Sequence, residues 1–341
     1  MNNLKRKLLV TLLTCSTAFT LFGCGDKTAD SQGANAPGTN SEAAGTKQES
    51  TKQQESVLPQ EGTERQEGAA VSYPLTVTDS NGETVTISAE PQKIVSVAPN
   101  LTELVYALGA GDLLIARSDY CDYPSEVSEV ESVGTIFAPD MEKMVSLEPD
   151  LVLASTHFDR EAAAKIQELS IPALTLFEEN SMEGVYTMIE TLGQVLNRSE
   201  QAADCVETMK TEIDGVAEKV KDAAPPTVYY AVDFGENGDF TAGGDTFAGT
   251  MIALAGGDNI AKDVSGWSIT LEQIIEKDPS IILIGEAMKD DFISHPNYSG
   301  LTAVKEGRVY GIDNNLLDRQ GYRNAEGVRA LAEIFHPEAF E

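Results

Sequence analysis

Residues 140–155 read DMEKMVSLEPDLVLAS, and residues 270–285 read TLEQIIEKDPSIILIG. Aligned, they give one pattern twice: a short helix, an acid and a proline that stop it, then an apolar run of strand type. Glu142 and Glu272 fall in the same slot, as do Pro149 and Pro279. A second pair agrees in the same order. LVYALGAGD (104–112) and MIALAGGD (251–258) share Ala-Leu followed by Gly-Asp. The offsets of 130 and 146 differ, so the loops between differ in length. Two matches in the same order point to two lobes of one ancestral kind.

Working outward, residues 73–87 read as a hairpin turning at Ser80-Asn81-Gly82, since Asn-Gly is a strong two-residue turn signal. The apolar run 93–97 suits a buried strand, and Asn100 with Glu103 fits a helix N-cap and its third residue. Helix and strand signals then alternate, which predicts an α/β fold with mainly parallel sheets. Between the repeats lie two helical stretches, 181–197 and 198–223. The second carries Ala202, Cys205, Val206, Met209, Ile213, Val216 and Val220 at helical spacing, and at 1.5 Å per residue spans about 39 Å. Pro225-Pro226 ends it. One long helix joining two lobes is a stiff strut that allows modest opening; the plain alternative is a packed surface helix.

The ends carry different signals. Lys5, Arg6 and Lys7 precede an apolar stretch, 8–22, which reads as a secretory signal too short for a membrane span. It closes on Leu21-Phe22-Gly23-Cys24, which resembles a bacterial lipobox with Cys24 as the lipidated residue; an ordinary cleaved signal is the alternative. From 26 to 56 no aliphatic residue exceeds Ala and no aromatic occurs, so the segment cannot bury enough apolar area to fold. As a flexible tether it would reach roughly 35–40 Å. The expected organisation is signal 1–24, tether 25–72, N-terminal lobe 73–180 with its hairpin at 73–88, linking helices 181–224 and C-terminal lobe 225–341. Only Cys121 and Cys205 remain in the body, and spacing does not say whether they meet.

The chain has 341 residues, 41% hydrophobic, with a net charge of −31. Residues 73–341 alone carry −30. That excludes a nucleic-acid partner, which needs a basic face, and a folded body lying flat on an anionic bilayer. No GxSxG, P-loop or CxxC occurs, and no two His stand at metal-ligand spacing. The alternative of an extracytoplasmic hydrolase therefore has no motif behind it, and no catalytic residue, metal or resident cofactor is assigned.

An exported chain of two like lobes on one long helix resembles the class III solute-binding proteins, the helical-backbone metal-receptor superfamily. The residues that carry this are IVSVAPNLTELVYALG (94–109), the two Glu slots, FTAGGDTFAG (240–249) and DRQGYRNAEGVRALAEIFHPE (318–338). Within it, SDYCDYP (118–124) and FGENGDFT (234–241) look closest to cobalamin-binding members. The resemblance implies a cleft between the lobes, a corrinoid ligand with heme or a ferric siderophore as alternatives, and delivery by a lipid-anchored monomer on the extracytoplasmic face of the cell membrane to an ABC permease dimer. It also implies that Glu142 and Glu272 dock on permease arginines. The alternative for each acid is a favourable place in a helix's first turn.

A corrinoid is broad and flat, with apolar faces and an amide fringe, and needs rings to stack on and polar groups at its edge. Tyr120, Phe137, Phe234, Phe240 and Trp267 fall in loops after strands or before helices, and supply the candidate walls; core packing is the alternative for each. Arg319 and Arg323 are candidates for the polar edge, with satisfaction by local carboxylates as the alternative for both; the resemblance favours Arg319. His157, after a strand end, could ligate the metal of a macrocycle or simply stand on the surface.

Overall fold

The hairpin comes first: β1 (Leu75–Thr78) and β2 (Thr84–Ile87) pair antiparallel. The Asp79 carboxylate closes the turn by accepting from the N–H groups of Asn81 and Glu83 at 2.9 and 2.8 Å, and Gly82 supplies the positive φ, +81°. The computed structural model describes residues 71–178, 180–236 and 238–341, all in one compact unit. The expected signal, Cys24 and nearly all of the tether lie outside the described residues, as does Asn237.

The first sheet is parallel and five-stranded, in the order β5-β4-β3-β6-β7. Its strands are β3 (Ile94–Ser96), β4 (Leu114–Arg117), β5 (Glu131–Ser132), β6 (Leu151–Ala154) and β7 (Ala173–Thr175). Around it run α1 (Pro99–Ala107), α2 (Met141–Ser146) and α3 (Arg160–Glu168). The expected cap of α1 is corrected here. The N-cap is Ala98, without a side-chain bond, and Pro99 opens the helix with its φ already set. Asn100 lies one position further in, and Glu103 reaches back to no backbone donor; both are buried.

Next come α4 (Met182–Val195), capped by Ser181, and α5 (Ser199–Val220). At 22 residues α5 is about 33 Å long. It buries Ala202, Val206, Met209, Ile213, Val216 and Val220 and packs against α4, whereas Cys205 is half-buried. The helix stops at Val220, a few residues short of the prolines.

The second sheet is parallel and four-stranded, in the order β10-β8-β12-β13. Its strands are β8 (Thr227–Ala231), β10 (Asp258–Asn259), β12 (Ile281–Gly285) and β13 (Val309–Ile312), while β9 (Asp239–Phe240) and β11 (Ser268–Ile269) form a separate antiparallel pair. The helices here are α6 (Phe247–Leu254), α7 (Leu271–Lys277), α8 (Lys289–Ser294), α9 (Thr302–Lys305), α10 (Asn315–Asp318) and α11 (Asn324–Phe335), the last packed on α5.

The repeat read from sequence is a structural repeat. α2 leads into β6 and α7 into β12. The acids before the two prolines, Glu148 and Asp278, both take positive φ, 51° and 37°. Gly109 and Gly256 end α1 and α6 with φ of +70° and +81°, the left-handed stop that glycine permits. Both sheets alternate by twos between an inner and an outer core. Leu151 and Leu153 join the inner core and Val152 and Ala154 an outer one; Ile281 and Leu283 join the inner core and Ile282 and Ile284 another. The inner core is continuous through α1, α4, α5, α6 and α11. Removing the buried Leu283 side chain (Leu283→Ala) is therefore expected to cost about 3 kcal/mol. Calorimetry should show one lowered melting transition for the whole body, not one lobe melting early.

Candidate functional site

In open parallel sheets a ligand sits beyond the carboxyl ends of the strands, where the strand order reverses. In the first sheet the chain runs from β3 out through β4 to β5, then returns to β6 on the other side, so the reversal lies between β3 and β6. A cavity of about 170 Å³ stands at that point. It is lined by residues 97–100 after β3, residues 155–158 after β6, Ile136, and residues 318–320 from the second lobe. The second sheet repeats the rule, reversing between β8 and β12.

Among the described residues, the exposed aromatic rings are Tyr120, Tyr123, Phe137, Phe240 and Trp267. All five stand on segments beyond the parallel strands. Tyr120 and Phe137 meet edge to face, centroids 6.2 Å apart, and Phe137 meets His157 the same way at 5.8 Å. His157 borders the cavity, with its Nδ1 3.1 Å from the Thr156 hydroxyl. In the second lobe Phe240 lies not in a loop but in β9, which doubles back antiparallel on the residues just after β8: the Phe240 N–H donates to the Asp233 carbonyl and its carbonyl accepts from the Val232 N–H. The Trp267 carbonyl accepts from the N–H of Thr241 beside it. Phe234 is placed differently from the other four candidates. Its ring is half-buried in the outer core of the second lobe, edge-on to Phe292, Tyr298 and His295 at 5.0, 5.5 and 5.9 Å. An unbranched apolar ring beside a glycine turn gives no signal of which way it points.

Arg319 borders the cavity with its donors largely engaged. Nη1 donates to Glu103 Oε1 at 2.8 Å and Asp122 Oδ1 at 2.6 Å, and Nη2 to the Tyr120 carbonyl at 3.3 Å. Arg323 Nη1 lies 3.6 Å from the same Glu103 oxygen. Burial pushes the Glu103 carboxyl above its usual range, while the hydrogen bond and charge of Arg319 pull it back. Asp318, also on the cavity, is raised by burial against bonds donated by Asn314 and Tyr230. Glu103, Asn100 and Asp318 were not read from sequence as site residues. A signal existed for Glu103: it stands between Leu101 and Leu104-Val105, in a stretch with no polar face to carry it.

Glu142 and Glu272 occupy matching first turns and are exposed. Neither caps its helix. Asp140 accepts from the N–H of Lys143, and Thr270 and Gln273 form a reciprocal capping box. Cys121 and Cys205 are both free; the Cys121 thiol is buried against Thr102 and Ser118. Among the described residues no three His, Cys, Asp or Glu side chains are grouped to hold a metal ion, and no helix is long and apolar enough to cross a membrane.

Comparison with known proteins agrees with this fold. A family model described as periplasmic binding protein matches residues 94–316. An uncharacterized ABC transporter substrate-binding lipoprotein of Bacillus subtilis is 35% identical over 277 residues, covering 79% of this chain and 88% of its own. A cobalamin-binding protein of Halobacterium salinarum is 28% identical over 282 residues, 78% of this chain and 75% of its own. In fold, the periplasmic heme-binding protein of Roseiflexus sp. RS-1 superposes with a TM-score of 0.67 at 23% identity, over 73% of this chain and 99% of its own. With most of its body under one family model and a relative of such identity across it, the chain belongs to the periplasmic binding protein family, as a class III substrate-binding protein of ABC transport.

Proposed function

We propose that this chain captures a corrinoid, cobalamin foremost, between its lobes and hands it to an ABC permease dimer while held to the outer face of the cell membrane by a lipid on Cys24. The observation that carries the reading is the placement of the exposed rings. Tyr120 and Phe137 on one lobe and Phe240 and Trp267 on the other offer apolar walls to a flat macrocycle, with backbone and side-chain polar groups at the edge. The cobalamin-binding relative supports the same ligand class. Glu142 and Glu272, one on each lobe, are the proposed docking acids, because charge at an exposed rim sets orientation and encounter rate.

The test is a titration of the purified body with cyanocobalamin, hemin and a ferric hydroxamate, following the fluorescence of Trp267, the sole tryptophan of the chain. Quenching that saturates with cyanocobalamin is expected, and no response to any corrinoid overturns the ligand assignment. A second reading, heme, is favoured by one observation: His157 lines the cavity and meets the exposed Phe137 ring edge to face. It requires hemin to bind with a Soret shift that His157→Ala removes.

A further inference from the structure

The strap formed by residues 319–323 belongs to the second lobe by sequence but is fastened to the first. Arg319 reaches the carboxylates of Glu103 on α1 and Asp122 on the 118–124 loop, and the backbone carbonyl of Tyr120. The Asn100 side chain donates to the Gln320 carbonyl at 3.2 Å. A side chain added at Gly321 would touch Leu104. Arg323 stacks its guanidinium on the Tyr123 ring, 4.1 Å from the centroid, while also facing Glu103, Asp313 and Glu326. Glu103 is the pin: only 4% of its side chain is exposed, and two guanidinium groups share one of its oxygens. A carboxylate so buried tolerates the loss of its partner poorly, because the charge is left without solvent or counter-ion. The arrangement is thus held from both sides, and the loop it holds is the one that carries Tyr120.

We propose that the Arg319–Glu103–Asp122 cluster is an inter-lobe clasp, and that Arg319 is a positioning residue for ligand capture: it fixes the Tyr120 loop against the second lobe and so sets the aperture of the cleft. This rests on the reading of the cleft as the ligand site for its binding half only; the mechanical half stands without any ligand. The clasp lies beside the cavity, whereas α5 and α11 join the lobes through the inner core. The lobes are therefore attached at two places, and the Tyr120 loop and the strap move together.

Two variants separate this role from direct ligand contact. Asp122→Asn removes the charge of one Arg319 partner, a side chain that is itself 61% exposed, so the fold is kept, and Glu103 stays paired with Arg319. The double variant Glu103→Gln with Arg319→Met removes the buried pair together, and Arg323 keeps Asp313 and Glu326 as counter-ions, so no charge is stranded. Hydrogen exchange of the ligand-free protein is read on peptides covering 118–124 and 319–324, with peptides in α5 and β12 as internal controls. The expected result is faster exchange on both strap and loop, a few-fold in Asp122→Asn and at least tenfold in the double variant, with the controls unmoved. Cyanocobalamin affinity should fall by the same order of variants, through a faster off-rate. Unchanged exchange on 118–124 overturns the clasp, whatever happens to affinity. Faster exchange with unchanged affinity overturns the positioning role. If the wild-type body binds no cyanocobalamin, the corrinoid reading fails, and the exchange result still decides the clasp.

Discussion

Replacing Glu142 and Glu272 together by Ala abolishes ligand uptake in cells that carry the cognate permease, while the purified protein keeps its ligand affinity within about twofold. The two halves of this expectation have separate grounds. Affinity is spared because both acids stand in the first turns of α2 and α7, helices whose caps are made by Asp140 and by Thr270 with Gln273. Loss of a first-turn acid costs only a few tenths of a kcal/mol. Uptake is lost because the repeat places one acid on each lobe at the same structural point, a pair suited to a two-fold symmetric partner. Like rim charges elsewhere, each would act on encounter rate and register. Single replacements should give intermediate uptake. Transport at the wild-type rate by the double variant, measured with labelled ligand, would refute the docking role.

The second large effect concerns the rings. Tyr120→Ala and Trp267→Ala, one from each lobe, should each weaken corrinoid binding by about 30-fold, equivalent to about 2 kcal/mol. Both side chains are exposed, 46% in each case, so truncation leaves the core intact and the melting temperature close to that of the wild type. The Phe234→Ala variant should behave in the opposite way. Its ring is packed among Phe292, Tyr298 and His295, so stability falls while the direct loss of ligand contact is small. Isothermal titration together with thermal melts separates the two patterns. Equal loss of affinity without loss of stability in all three variants would show that Phe234 turns to the ligand in solution.

Much of the fold was legible because its signals are periodic. The helix-stop-strand repeat, the Asn-Gly hairpin and the apolar face of α5 are all set by spacing along the chain, and each appears where the spacing puts it. The exposed rings were legible in kind, since aromatics in loops beyond strands have few partners there. What was not legible depends on contacts far apart in sequence. Glu103 sits three residues after Asn100, as a capping acid would, yet its partner is Arg319, 216 residues away. Local pattern favoured the cap; tertiary pairing won, because Pro99 already opens the helix and leaves Glu103 on a face with no water. Arg319 could be read as an edge group or as a locally satisfied charge, and only the fold shows the three acceptors gathered around it. Phe234 and Phe240 flank one turn and differ in fate, one half-buried against Phe292, His295 and Tyr298 and one exposed in a strand beyond β8, a distinction that composition does not encode.

The way the two sheets share their inner side chains has a consequence for both lobes. Leu151 and Leu153 on one sheet, Leu283 on the other and Val206, Met209 and Ile213 on the rod between them contribute to a single apolar mass. A half cut free at the rod would turn this shared seam to water. Each half therefore serves as the other's interior, and a substitution in this seam is felt by both.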